Sequence, residues 1–260
     1  MTTIKTALIT GSSSGIGLAT AKVLAAQGIQ VMLHGIEESA IGDAIAANLE
    51  RQHNVKARYY CADLAKPALI DGLIEAVISQ FGALDILINN AGIQFTSPTV
   101  DYPTEKWDLV MAVNLSAAFH TTRLALPFML KNNWGRIVNI ASVHGLVGSA
   151  NKSAYCAAKH GLVGFTKVVA LEHAAQGITA NCICPGWTDT AILDQQFKVY
   201  AENNNISLGE AKRGLIATKS PYPELINPCA IGEMVHFLCS DAATAITGSS
   251  LPIDGAWTAQ

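Results

Sequence analysis

KTALITGSSSGIG, residues 5–17, runs a short apolar segment straight into a glycine-rich turn. The glycines at 11, 15 and 17 have the spacing G-x-x-x-G-x-G and are followed by a segment of helical period, IGLATAKVLAAQG (16–28). Glycines there let the backbone turn tightly and approach a pyrophosphate, whose charge meets the helix N-terminus. A tight turn of purely structural purpose would use the same residues. The strand–turn–helix setting at the head of an alternating chain favours the phosphate cradle.

Outward from this stretch, β-branched runs alternate with helical ones. The strand candidates are KTALIT (5–10), IQVMLH (29–34), KARYYCAD (56–63), ALDILINN (83–90), GRIVNIAS (135–142) and ITANCICP (178–185). Between them lie helical patterns over 16–28, 38–52, 68–82, 105–130 and 154–177, three of which end at glycine, a common helix stop. Strand alternating with helix implies βαβ units and a parallel sheet with helices on both faces. ALDILI is apolar on both sides, as a doubly covered sheet requires. The expected fold is a single α/β domain over 1–260, Rossmann-like and doubly wound.

The alternation breaks after residue 186. Residues 187–222 hold helical pieces without a strand, just beyond a strand's C-terminal end, where such folds bind ligands. We read this segment as a helical substrate lid, with a plain insertion as the alternative. PCAIGEMVHFLCSDAA (228–243) predicts a last helix and SSLPIDGAW (249–257) a closing strand, whose Pro252 puts its pairing in question.

The chain has 260 residues, 50% hydrophobic and 14% charged, with a formal charge of −3. One domain can bury a core of that size. Without a basic block there is no nucleic-acid footprint. MTTIKTALITG reaches its glycine turn too early for a signal-peptide apolar stretch, and no uninterrupted apolar run approaches ~18 residues. A cytoplasmic location is expected, with no membrane partner. The cysteines at 61, 156, 182, 184, 229 and 239 are then expected to be reduced. Cys182 and Cys184 would share one strand face, but NCICPG offers no His or carboxylate to complete a metal set, so no metal is expected.

An acidic residue ending the second strand would bond the ribose hydroxyls, whereas a basic one would take a 2′-phosphate. The sequence there is VMLHGIEES (31–39), with Glu37 and Glu38 close by and no Lys or Arg nearby or in the glycine turn. NAD is therefore preferred over NADP. Asp63 and Leu64, at the third strand's end, are the expected adenine contact.

Further motifs follow in order: NNAG (89–92), Asn114, Ser142, Tyr155-x-x-x-Lys159 and Pro185-Gly186. With TGSSSGIG they make the chain, from residue 5 onward, resemble the short-chain dehydrogenases/reductases. The resemblance implies that Asn114, Ser142, Tyr155 and Lys159 are catalytic. It also implies that NAD lies along Gly11, Ser13, Gly15, Ile16, Gly17, Ile36, Asp63, Leu64, Asn90, Ala91, Gly92, Tyr155, Lys159, Pro185, Gly186 and Thr188.

The chemistry is sensible on its own terms. Tyr155 and Lys159 are one helical turn apart. A phenol of pKa about 10 is a poor base, and an adjacent ammonium that lowered it by about 3 units would supply about 4 kcal/mol. Ser142, at the fifth strand's end, can hold the reacting oxygen. Asn114 interrupts an apolar helical stretch and could hold a water linking Lys159 to solvent; an ordinary helix Asn is the alternative.

Lys152, in SANKSAY, precedes the helix of Tyr155 at the mouth of the same crevice. Read alone it is either an anion anchor or a solvated lysine. His144 and Gln94 follow neighbouring strand ends and could be neutral donors, or a packed histidine and a loop glutamine. NNAGIQ, ASVHGLVGSANKSAY, CPGW, LDQQF and DGAWTAQ are similar to the bacterial D-3-hydroxybutyrate dehydrogenase branch of the family. That similarity implies that Gln94, His144, Lys152 and Gln196 hold a substrate carboxylate, and that Trp187 and Trp257 line the pocket. It implies reversible NAD-dependent oxidation of (R)-3-hydroxybutyrate to acetoacetate by a homotetramer. The alternatives are another short-chain reductase, such as a 3-ketoacyl-carrier-protein reductase or sugar dehydrogenase, and more remotely a non-catalytic nucleotide sensor. A carrier-protein enzyme should show a basic docking patch, and none is evident.

Overall fold

The expected strand runs all pair. The computed structural model describes residues 4–259, so positions 1–3 and 260 of the expected domain, Gln260 among them, lie outside the described residues. The strands are β1 (Thr6–Ile9), β2 (Gln30–Gly35), β3 (Ala57–Cys61), β4 (Ile86–Asn89), β5 (Gly135–Ile140), β6 (Ile178–Pro185) and β7 (Ser250–Ile253). They form one parallel sheet in the order β3-β2-β1-β4-β5-β6-β7. The order reverses between β1 and β4, so a crevice opens there beyond the strands' carboxyl ends.

The helices are α1 (Gly15–Ala26), α2 (Ser39–His53), α3 (Pro67–Phe81), α4 (Thr104–Met111), α5 (Ala117–Asn132), α6 (Ser153–His173), α7 (Asp194–Asn204), α8 (Leu208–Ala217) and α9 (Pro228–Cys239). The two-residue period of β1 sorts its side chains between two cores. Ala7 and Ile9 join Leu24, Ile231 and Val235 on the face of α1 and α9. Leu8 joins Leu73, Met129 and Val169 on the face of α3, α5 and α6. Each fully buried leucine contributes about 1.5–3 kcal/mol. Three glycines past helix ends, Gly28, Gly82 and Gly177, take positive φ, as the stop signals predict.

The run expected as one helix over 105–130 is divided. Residues Ala112–Ser116 form a π turn between α4 and α5, and Asn114 lies at its centre. A π turn inserts a residue into the helical ladder and redirects a side chain, often at a functional site. By length and composition alone Thr104–Asn132 could cross a bilayer, but α5 packs against α3 and the sheet.

Pro252 costs the sheet nothing. Cys182 N–H donates to Ser249 O (2.8 Å) and Gly186 N–H to Ile253 O (2.9 Å). Odd-numbered residues of this segment therefore face β6, and Pro252 turns its missing donor to the open edge. The segment 187–222 is helical as expected, carrying α7 and α8, the latter closed by a Ser207–Glu210 capping box.

Candidate active site

A crevice of about 690 Å³ lies over the carboxyl ends of the strands. Its lining includes every expected cofactor residue except Gly17, all six expected substrate residues, and Ser142, Tyr155 and Lys159. Gly17 acts one layer behind: a Cβ on it would collide with Gly11 O and Asn90 Nδ2. Gly11 adopts φ +61°, and a Cβ there would come within 2.9 Å of the Ala91 backbone. The turn is thus pressed against the NNAG segment, and only glycine fits. Asn90 completes the contact, its side chain donating to Thr10 O (2.9 Å) and Gly11 O (2.8 Å). A cradle this narrow, backed by a helix N-terminus, fits the diphosphate of a dinucleotide.

At the crevice's far end Glu37 folds back over the turn. Its carboxylate accepts from the Ser13 hydroxyl at 2.7 Å and the Tyr59 hydroxyl at 3.3 Å. These bonds outweigh desolvation and hold its pKa below the ordinary carboxylate value. A Cβ on Gly35 would strike this carboxylate, so the glycine makes room for it. Ile36, 76% exposed, and Asp63 and Leu64 border the same end.

Ser142 lies two residues past β5 in extended conformation, and its Oγ accepts from His144 N–H at 3.2 Å. Tyr155 and Lys159 project from α6. Lys159 is buried, donates from Nζ to Ile140 O (2.7 Å) and lies 5.7 Å from the Tyr155 ring centre. The expectation that Lys159 draws the phenol toward neutrality is not met by the protein groups alone. Burial pushes Tyr155 up to about 12, only partly opposed by the Ser142 hydroxyl. Burial likewise pushes Lys159 down to about 8. Desolvation disfavours both charged forms, and the ammonium spends a donor on a carbonyl.

Asn114 lies behind the crevice rather than on its lining. Its Oδ1 accepts from Ile93 N–H and its Nδ2 donates to Ile93 O, both at 2.8 Å. A Cβ on Gly92 would lie 3.3 Å from Asn114 Oδ1 and 3.6 Å from Lys159 Nζ, so Asn114 and Lys159 flank one glycine. The amide fixes the strand-end loop that leads from NNAG to Gln94.

Lys152 is buried, with 9% of its surface exposed. Its Nζ donates to Gln196 Oε1 of α7 at 3.2 Å, and no carboxylate pairs with it among the described residues. Burial lowers its pKa. Next to it His144 is pushed down to about 4, first by burial and then by the Lys152 charge, so the ring is neutral at neutral pH. His144 Nδ1, Gln196 Nε2 and Trp187 Nε1 are buried without hydrogen-bond partners.

Aromatic rings close the pocket. Trp257 meets His144 edge-on at 5.4 Å and Trp187 at 5.2 Å, while His144 meets Tyr155 edge-on at 6.1 Å. Trp257 is held by an unusual turn in which Gly255 and Ala256 both take positive φ (+62° and +69°). Asp254 stabilises it, accepting from Ala256 N–H (3.0 Å), Thr258 N–H (2.9 Å) and the Thr258 hydroxyl (2.6 Å). Tyr222 N–H donates to Gly255 O at 3.2 Å, tying the turn to the end of the 187–222 segment.

Several lining residues carried no signal in the sequence, among them His34, Leu109, Val113, Thr190 and Ile192. They face the crevice only because strand ends and the post-β6 segment converge on it.

Known proteins are similar to this chain in sequence and in fold. The sequence profile described as short chain dehydrogenase matches residues 5–201. The D-beta-hydroxybutyrate dehydrogenase of Cupriavidus necator is 49% identical over 259 residues, covering 98% of each chain. Its namesake from Rhizobium meliloti is 43% identical over 260 residues, covering 98% of this chain and 99% of the relative. Among solved structures, an actinorhodin polyketide ketoreductase variant with NADPH superposes with TM-score 0.92 at 35% identity, covering 98% of this chain and 97% of that one. The L-sorbose reductase of Gluconobacter frateurii, complexed with NADPH and L-sorbose, gives 0.92 at 30% identity, covering 97% and 95%. A profile match over most of the chain, near-full-length relatives and a shared doubly wound fold lead to one conclusion: this chain belongs to the short-chain dehydrogenase family of oxidoreductases.

Proposed function

We propose that this chain catalyses the reversible NAD-dependent oxidation of (R)-3-hydroxybutyrate to acetoacetate. The observation that carries the reading is Lys152, a buried cation with no protein counter-ion among the described residues, beside the Ser142–Tyr155 pair. A buried ammonium calls for an anion, and the carboxylate of a small hydroxy acid is one whose hydroxyl could reach Ser142 and Tyr155. The names of the two most identical relatives cited above agree with it.

The bound dinucleotide supplies the acceptor for the hydride leaving C3, and in reverse its donor. The protein's residues do the rest. Lys152, with neutral donors from His144, Gln94 and Gln196, grips the carboxylate; a charge-assisted bond of this kind contributes about 1.5–3 kcal/mol. Ser142 donates to the reacting oxygen. Tyr155 takes the hydroxyl proton in oxidation and returns it in reduction, while Lys159 keeps positive charge beneath the ring. Asn114 acts indirectly, by holding the Ile93 backbone. Trp187 and Trp257 restrict the pocket to short acids, and the helices of 187–222 act as a lid over a single domain.

NAD is preferred because the Glu37 carboxylate, fixed by Ser13 and Tyr59, would accept from ribose hydroxyls and repel a 2′-phosphate. The NADPH-bound relatives make this a property of the chain's own residues rather than of the fold. A cytoplasmic homotetramer belongs to the same reading. Its support is a run of exposed apolar side chains on α5 and α6: Phe119, Val168 and Leu171.

Absorbance at the NADH band tests the reading with (R)- and (S)-3-hydroxybutyrate, lactate and 3-hydroxyacyl thioesters. Turnover confined to the R acid is expected. Equal rates on both enantiomers would defeat the anchored geometry.

A further inference from the structure

His34, the penultimate residue of β2, is buried with 2% of its surface exposed, yet the chemistry above makes no use of it. Its Nδ1 accepts from Gly11 N–H at 3.1 Å, and its Nε2 lies 3.0 Å from Ala62 O. A carbonyl only accepts, and a backbone N–H only donates. The ring must therefore carry its proton on Nε2 and none on Nδ1. The backbone of the same residue holds the next position of the turn: Ser12 N–H donates to His34 O (2.8 Å), and His34 N–H donates to Ser12 Oγ (2.9 Å). Residue 34 thus grips Gly11 and Ser12 of the phosphate cradle and, through the ring, the β3 end that leads to Asp63 and Leu64.

We propose that His34 is a positioning residue for the cofactor: its neutral, Nε2-protonated ring fixes the Gly11 backbone in the shape that receives the diphosphate and ties it to the adenine-binding end. This rests on the dinucleotide reading above. Gly11 needs such a fixture, because a glycine at φ +61° has many other conformations open to it. Removing the acceptor would leave a partly buried N–H without its protein partner, free to pull the turn out of register.

Protonation would have the same effect, since an imidazolium opposes its own N–H to that of Gly11. Burial pushes the ring down to about 4, against the Ala62 carbonyl and the Glu37 charge. The titratable groups around it are Glu37 beyond β2, Tyr60, which is its register partner on β3, and Tyr59, Cys61 and Asp63 at the end of β3; α1 presents none in its first turn.

The test separates the two ring bonds. In His34→Asn the side-chain oxygen takes the place of Nδ1, whereas in His34→Gln the amide nitrogen takes the place of Nε2; His34→Leu has neither. The dissociation constants of NADH and NADPH are read by fluorescence, with circular dichroism as the check on folding. Parent binding of either dinucleotide tests the cofactor reading separately from the variants. His34→Asn should stay within about threefold of the parent, while His34→Gln and His34→Leu weaken about tenfold or more. At saturating NAD, kcat should fall less than affinity does. On lowering the pH toward 4.5 the parent should lose affinity faster than His34→Asn, which keeps Glu37 and Asp63 as internal controls. Parent-like affinity in His34→Leu overturns the proposal. If His34→Leu does not fold, equal affinities of the Asn and Gln variants overturn it.

Discussion

Lys152 Nζ donates to Gln196 Oε1 across 3.2 Å, joining the turn before α6 to a helix 44 residues further along the chain. The other end of that amide, Gln196 Nε2, is buried without a partner. Both groups can therefore serve an arriving carboxylate without breaking any other contact. The bond also gives the 187–222 segment a reason to rest over the crevice.

Lys152→Ala should raise the KM for the hydroxy acid by about 10- to 100-fold, the range of one lost charge-assisted bond. If the anchor also orients the reacting carbon, kcat falls with it. Steady-state kinetics decide. A variant with parental KM and kcat refutes the carboxylate assignment.

Glu37→Ala should reduce the preference for NAD over NADP by about tenfold or more, because a fixed charge near the 2′ position is removed. The ratio of kcat/KM for the two dinucleotides is the readout. A parent enzyme indifferent between them would remove the basis of this argument.

A phenol pushed up to about 12 stays protonated across neutral pH and, in the proposed reaction, would serve directly as the acid of ketone reduction. Oxidation needs the deprotonated form, whose fraction grows about tenfold per pH unit below the pKa. Oxidation should therefore accelerate from pH 6 to 8, and less steeply above about 8, where Lys159 loses its charge. Reduction should be flat over the lower range. Tyr155→Phe should lower oxidation by about 10²- to 10⁴-fold and abolish the slope; pH–rate profiles in both directions check this, and an oxidation rate indifferent to pH contradicts it.

Ala256 holds φ +69°, a conformation that costs a residue with a Cβ about 1–2 kcal/mol. Glycine there loses more chain entropy on folding, about 0.5–1 kcal/mol. Ala256→Gly should thus stabilise the fold by up to about 1.5 kcal/mol, whereas Ala256→Val should destabilise it. Urea midpoints of the two variants give the answer, and a lower midpoint for the glycine variant would show that the turn carries no such strain.

Much of this was legible from residue order alone. Strand runs, glycine stops and a ligand site beyond the strands' carboxyl ends follow from periodicity and connection rules, which act locally, whereas the reversal between β1 and β4 is read from the sheet itself. The expected substrate residues reached one pocket because they follow strand ends or lie just beyond β6. Three features were out of reach. The redirected Asn114 depends on a π turn, which an apolar helical pattern does not announce. The high pKa of Tyr155 depends on how deeply α6 seats it, while spacing reveals only its neighbour. His34 looked like the last residue of an ordinary strand, since its partners come from two other turns.

The proline in β7 has a consequence for assembly. Pro252 leaves a gap in the outward row of donors on a strand of only four residues, so a fresh strand laid alongside would find few amides to pair with. This border of the sheet is thereby blunted against further pairing, so a second subunit approaching it would be recognised through side chains rather than by lengthening the ladder.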